Sequence, residues 1–288
     1  MAIVKGQAMK RLSFSRVVAA AVLVLAVTAG ARATTCGPVN DPDDCLDDFT
    51  CYLAWITKGT PSFTPVSGVS LVDDFETATV TVAKQGHLCA PADKNAEGVH
   101  DEDTHLMSYV IKEQSPKHIR RGSIRITNQL EQIRVDTVKP ELLLVPTAKT
   151  LTQPGPSAPN PLTHSVDHYK CYKVRVTPGT PLPAQDRKVS SSDQFTQPAK
   201  LLTLRKPRHL CLPVDKNGEG IKNPDVHLLC YAAKPARGEP KHVPREGVFV
   251  NNQFGPLRIN TVKEREFCIP SFKSLSPSGA FLDASGAF

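Results

Sequence analysis

The sequence has no C-x-x-C pair, no G-x-S-x-G, no H-E-x-x-H, no glycine-rich phosphate loop and no dinucleotide fingerprint. Dithiol redox enzymes, zinc ribbons, serine hydrolases of the elbow type, zincins and nucleotide-binding folds are therefore left without their usual sequence support. Past residue 33 no apolar run is long enough to span a bilayer, so no membrane span is expected in the mature chain. A dominant charge is also missing. Five of the 35 Lys and Arg residues and none of the 28 Asp and Glu residues fall in residues 1–33, which leaves 30 against 28. With aromatic residues at 6%, this excludes nucleic acid as a partner on composition, since such a site needs a concentrated basic face and usually stacking rings.

The first 33 residues read as a signal peptide. Lys5, Lys10, Arg11 and Arg16 form a basic head, Val17 to Val27 is a short apolar run, and Ala31-Arg32-Ala33 is a small-x-small cleavage site. The expected mature protein is exported, to the periplasm or beyond the cell. All eight cysteines, Cys36, Cys45, Cys51, Cys89, Cys171, Cys211, Cys230 and Cys268, follow that segment. An even count in an oxidising compartment argues for four disulfides.

The chain repeats itself four times. FTCYLAW…LVDDFE…VAKQGHLCAPADK is followed by HLMSYVIK…ITNQLE…TVKPELLLVPTAK, HYKCYKV…SSDQFT…LRKPRHLCLPVDK and HLLCYAAK…VNNQFG…TVKEREFCIPSFK. From the first Cys position to the Phe/Leu position runs 24, 22, 24 and 24 residues, and from there to the second Cys position 14, 14, 16 and 14. The second segment carries Ser108 and Leu144 where the others carry cysteine. Both thiols are missing together, as partners would be, which favours Cys51 with Cys89, Cys171 with Cys211 and Cys230 with Cys268 over pairing between segments. Cys36 and Cys45 remain as a local clip.

Each segment places a β-branched run, a polar turn and a second run around DDFETA, NQLEQ, DQF or NQFGP, the pattern of a hairpin. With one strand from the CY stretch and one from the LCxP stretch, four strands per segment are expected, and an all-β fold. TLTQPGPSAPNPLTH at the middle junction reads as a proline-rich linker. The expected organisation is a β-repeat domain at 34–149, a linker at 150–164, a second β-repeat domain at 165–273 and a tail at 274–288. Each domain is expected to be a sandwich or barrel built of two half-repeats. The alternative is a four-bladed propeller.

HxxCYx(V/A), (D/N)QF, KPxxLCxP and DKNGEG together resemble an uncharacterised family of secreted bacterial repeat proteins, a domain of unknown function. The resemblance covers residues 45 to 273 and departs from its pattern at Ser108 and Leu144. It implies a bacterial exported protein and a disulfide-stapled repeat, and brings no activity with it.

DKNAEG and DKNGEG admit two readings. Asp93, Asn95 and Glu97, and likewise Asp215, Asn217 and Glu219, alternate as in the start of a calcium loop, with Asp101, Asp103, Asn223 and Asp225 available to complete a shell. Thr104 or Val226 stands where an EF-hand needs a bidentate Glu, so the competing reading is a polar turn between half-repeats. Calcium is thus the one cofactor the sequence suggests.

Lys84, Lys139, Lys206 and Lys263 recur five residues before the second Cys position. They suit either contact with an anionic polymer such as an acidic polysaccharide, or protection of strand edges. Tyr52, Tyr109, Tyr172 and Tyr231 read as packing residues whose phenol tips find a hydrogen bond. The pairs His87 and His209, His105 and His227, and His118 and His242 recur with the repeat. Asp73, Asn128, Asp193 and Asn252 share one turn position, an interchange that suits turn chemistry better than acid–base catalysis. No catalytic residue is assigned. The expected function is binding or scaffolding at the cell envelope or outside it, with a glycan or an envelope protein as partner; the alternative is a hydrolase acting on an envelope or extracellular polymer.

Overall fold

The described residues form β-strands whose hairpin parts alternate buried and part-exposed side chains and whose cysteine-bearing parts are buried on both faces. The computed structural model describes residues 45–161, 163–181 and 186–275. The leader, Cys36 and most of the tail lie outside them. No helix occurs among the described residues, and none is long and apolar enough to cross a membrane.

The first segment forms β1 (Asp48–Ile56), β2 (Val66–Val72) and β3 (Thr77–Lys94), and the second β4 (His105–Ser115), β5 (Ile124–Asn128) and β6 (Glu131–Thr150). The third forms β7 (Tyr169–Val176), β8 (Arg187–Asp193), β9 (Thr196–Pro213) and the two-residue β10 (Asp215–Lys216); the fourth β11 (His227–Pro235), β12 (Arg245–Asn252) and β13 (Gly255–Ser274). Three main strands per segment replace the four expected. The hairpin's second strand and the LCxP stretch are one long strand, because the chain changes direction between them through a bulge and does not reverse. Those bulges fall at Lys84, Lys139, Lys206 and Lys263. Pro140 and Pro207 follow two of the lysines, where a missing N–H costs no ladder bond.

All thirteen strands belong to one antiparallel sheet. Eight of them close on themselves in the order β1, β3, β4, β6, β7, β9, β11, β13 and back to β1. Each hairpin strand then pairs with the segment opposite, β8 with the long strand β3, β5 with β13 and β12 with β6, while β2 pairs with the short β10 that follows β9. Successive segments share ladder bonds along their strands, unlike the separate blades of a propeller, and the arrangement is consistent with a β-sandwich. The described residues fall in one compact unit, Thr35–Phe288, so the 34–149 and 165–273 halves interlock on either side of the proline-rich stretch.

The cysteines face into the ring. Cys51 is bonded to Cys89, Cys171 to Cys211 and Cys230 to Cys268, each pair directly opposed across its ladder, as the joint loss in the second segment implies. Ser108 opposes Leu144 in the same way. Each loop closed is 38 to 40 residues, a constraint that contributes about 4 kcal/mol in the chain-entropy account. Neighbouring bridges approach closely, with Cys51 Sγ 3.7 Å from Cys268 Sγ and Cys211 Sγ 4.0 Å from Cys230 Sγ. The ring's interior is filled, with about 10 Å³ of free space between residues of all eight strands. Outside the ring, two further apolar cores each draw on both halves, as with Val80, Met107, Val250 and Ile259 in one and Ile126, Tyr172, Leu204 and Phe267 in the other.

Candidate functional site at the bend end of the ring

All four segment-opening strands run one way through the ring and all four long strands run the other, so the ring has two chemically distinct ends. One holds the bulges, and the other the DKNAEG and DKNGEG loops. At the bend end Lys84, Lys139, Lys206 and Lys263 are all exposed. Lys139 leans on Glu141 at 3.4 Å. These lysines recur five residues before the second Cys position, and the structure gathers them around one mouth.

Their company does not follow from that spacing alone. Lys173, Arg205, Arg208, Lys234 and Arg265 stand beside two of the four bends. The signal was available in the repeat: three residues before the second Cys position the segments read Gly86, Glu141, Arg208 and Arg265.

Inside the mouth His209 is clamped between two carboxylates, Nδ1 2.9 Å from Glu266 and Nε2 3.0 Å from Glu141. Burial opposes the charge, yet the two carboxylates push His209 up to about 9, and the hydrogen bond from His209 in turn holds Glu141 down at about 2. A histidine kept cationic at neutral pH is a poor general base; here it anchors the strands of three segments. His87, its counterpart in the first segment, is pushed down to about 4 by burial and touches Ser108 Oγ at 3.4 Å.

The loop end gathers the acidic residues but spends them separately. Asp93 Oδ1 accepts from Gly98 N at 3.0 Å and Asp215 Oδ1 from Gly220 N at 3.0 Å. Asn95 and Asn217 bind across the sheet edge, each accepting from a backbone N–H, Ser190 at 3.0 Å and Ser70 at 2.9 Å. Glu97 and Glu219 pair with Lys94 and Lys216 of their own loops. Asp101 caps the N–H groups of Asp103 and Thr104, Asp103 offers its backbone oxygen to His105, Asn223 donates its N–H to Asp167, and Asp225 lies apart beside His227 and Lys273. The structure does not bring these oxygens to a common point. Among the described residues the grouping of His, Cys, Asp and Glu atoms close enough to share an ion is Cys230, Glu266 and Cys268, and its sulfurs are spent in a disulfide.

Lys94, Lys149, Lys216 and Lys273, which recur five residues after the second Cys position, tie each segment to the next. Lys149, Lys216 and Lys273 place Nζ 5.3, 5.9 and 5.4 Å from the ring centres of Phe195, Phe254 and Phe75. Leu130 breaks that series, and Lys94 instead donates to Gln129 Oε1 at 2.5 Å and pairs with Asp48 at 3.1 Å. The tyrosines reach across the ring to the opposite turn. Tyr52 donates to Asp193 Oδ2 at 2.7 Å and Tyr172 to Asp73 Oδ2 at 2.6 Å, while Asn128 and Asn252 donate to the phenols of Tyr231 and Tyr109 at 3.0 and 2.9 Å.

A family model described as a repeat of unknown function, DUF7450, matches residues 105–270. The chain belongs to that family. The match spans the second, third and fourth segments of the DUF7450 repeat as it is built here, including the segment that lacks its cysteines. Neither the curated proteins nor the solved structures gave a match. The family description carries no activity, so function must be argued from the bend end itself.

Proposed function

We propose that this DUF7450 protein is an exported binding module that holds an acidic polymer against the bend end of its ring, at the cell envelope or outside the cell. One observation carries this reading: four symmetry-related lysines, free to have scattered, are all exposed around one mouth, while their counterparts at the other end are tied into the fold. A chain that gathers exposed positive charge at one end attracts anions there. The disulfides are compatible with an oxidising compartment, and the interlocked strands supply a rigid platform.

Retention on a polygalacturonate matrix at low salt, compared with a neutral dextran matrix, tests the reading. Retention on the acidic matrix that falls with rising salt, and its loss when Lys84, Lys139, Lys206 and Lys263 are all changed to Gln, is the expected result. Equal behaviour on both matrices, or no change in the quadruple variant, overturns it.

A further inference from the structure

The bend end is not evenly charged. Around its bends the first two segments read VAKQGH and TVKPEL, with one cation each, whereas the last two read LRKPRH and TVKERE. The extra cations surround two hollows of about 430 and 290 Å³ that share Arg208 and Ala232 as a common wall. Together they form one trough running from β7 past β9 and β11 to β13. Lys173 and Lys206 line the first hollow, Lys234 and Lys263 the second. None of these four lysines makes an ion pair among the described residues.

The acids nearby are already engaged. Glu141 is held by His209 and Lys139, Glu264 by Lys200, and Glu266 by His209 and by Arg208 Nε at 3.2 Å. That last contact also fixes the Arg208 guanidinium at the junction of the hollows. Val176, Pro207 and Ala232 supply aliphatic surface between the cations.

We infer that this trough is where the polymer lies, and that the polymer is a chain of carboxylated sugars. The inference rests on the proposed acidic-polymer reading and narrows it in place and in chemistry. Each hollow has the volume of a small-molecule site, enough for a sugar unit. Guanidinium and ammonium groups pair with its carboxylate, and the aliphatic wall covers its C–H face. Polyphosphate has no apolar body to lay on that wall. Single-stranded nucleic acid calls for aromatic rings under its bases, and the lining residues include no Phe, Tyr or Trp, while the His209 ring is buried between Glu141 and Glu266.

Titration calorimetry of the disulfide-intact protein decides the matter, with a galacturonate oligomer, a heparin-derived oligomer and a polyphosphate of matched charge at one ionic strength. The galacturonate oligomer should bind most tightly. Arg208→Gln, and separately the double change Lys206→Gln with Lys263→Gln, should each weaken it about tenfold, the value of one lost charge-assisted contact. The double change Lys84→Gln with Lys139→Gln should weaken it by no more than about threefold, a long-range charge effect. The lysine variants probe the trough even where Arg208→Gln unfolds the protein by releasing Glu266. Equal losses from the two lysine pairs would spread the site over the whole rim and end the inference while leaving the acidic-polymer reading intact. Tighter binding of polyphosphate ends the assignment to sugars, and tighter binding of heparin, whose charge is mainly sulfate, ends the assignment to carboxylate as the recognised group. No binding of any of the three removes the acidic-polymer reading as well.

Discussion

Tyr52 and Tyr172 occupy the same place in the first and third segments, and each delivers its phenol to the turn aspartate of the other's segment. Around Tyr172 that aspartate, Asp73, has a buried ammonium beside it. Lys170 Nζ lies 3.5 Å from Asp73 and 2.7 Å from Glu76, and Glu76 also holds His118 at 2.7 Å. Around Tyr52 the residue preceding the cysteine is Thr50, whose hydroxyl meets Ser191 at 3.0 Å. Asp193 therefore has no ammonium at the corresponding place, and burial pushes it up to about 6. The comparison teaches that the repeat conserves shape and hydrogen-bond direction while leaving charge balance to be settled separately in each copy.

Removing the ammonium should have the largest effect. Lys170→Met leaves Asp73 and Glu76 together in a buried site with one cation fewer. Breaking a buried ion pair from one side typically costs about 3–5 kcal/mol, and urea unfolding should show a loss of that order at pH 7. Thr50→Val at the matching position should cost much less, since it deletes one neutral hydrogen bond of about 1 kcal/mol. Equal losses at the two positions would erase the distinction between the networks.

The second sharpening concerns the segment without its staple. Ser108 and Leu144 are directly opposed, as the three cystine pairs are. Changing both to Cys should close a further bridge and stabilise by about 2–4 kcal/mol relative to the same variant held reduced at that site. Non-reducing peptide mapping should recover the 108–144 link; a pair of free thiols there would show that the second segment's ring strands are spaced differently from the rest.

Legibility followed the same division between shape and partnership. The strand pattern, the hairpin turns and the three disulfide pairs could be read because they rest on local alternation and on a joint loss within one segment. The union of the hairpin strand with the LCxP stretch could not, because a bulge leaves no composition signal beyond Lys84 or the Lys139-Pro140 pair. Asp73 and Asp193 were legible as turn residues, and both do cap the turn, accepting from the N–H two residues on at 2.7 Å. Their second role, receiving a tyrosine from across the ring, depends on which segments face each other, and no single segment encodes that. Lys94 and Lys206 look alike in sequence, yet one is buried and the other exposed, since the bend lies between them.

Asp193→Asn should sharpen the comparison from the other side. Asn already fills this place at 252, where its Oδ1 accepts from Phe254 N at 2.9 Å and its Nδ2 donates to Tyr109. An acid whose folded value is raised is held protonated by the fold. Below the unfolded value of about 4 both states carry the proton and nothing is lost. Between there and about 6 the unfolded chain ionises first, so this group's contribution falls as pH rises. The variant should therefore exceed the parent by about 1–2 kcal/mol at pH 7, with the advantage appearing between pH 4 and 6 and level above. His105 and His227, pushed down by burial to about 4 and about 3, impose the opposite slope on both proteins and cancel in the difference. Burial raises Asp73 as well, but Asp73→Asn also leaves Lys170 with one carboxylate partner fewer, so it should gain less than Asp193→Asn.

The smallest effect lies in the two loops between half-repeats. Asn95 and Ala96 have φ of 56° and 67°, and Asn217 and Gly218 have 58° and 84°, the left-handed pair of a tight hairpin turn. Each turn closes with the Glu N–H on the Lys carbonyl, at 3.1 Å for Glu97 and 3.2 Å for Glu219. Asparagine tolerates this region and glycine is at ease in it, but alanine is strained there by about 1 kcal/mol. Ala96→Gly should thus stabilise the chain by up to about 1 kcal/mol, less the backbone freedom that glycine adds to the unfolded state, and Gly218→Ala should destabilise it, although open space surrounds Gly218. Thermal melts of the two variants with and without millimolar calcium separate this backbone effect from ligation. With the loop oxygens committed to N–H groups and to Lys94 and Lys216, the opposite shifts should be unaffected by the ion; a melting temperature that rises with calcium in the parent, and is lost on Asp93→Ala, would instead make the loop a cation site.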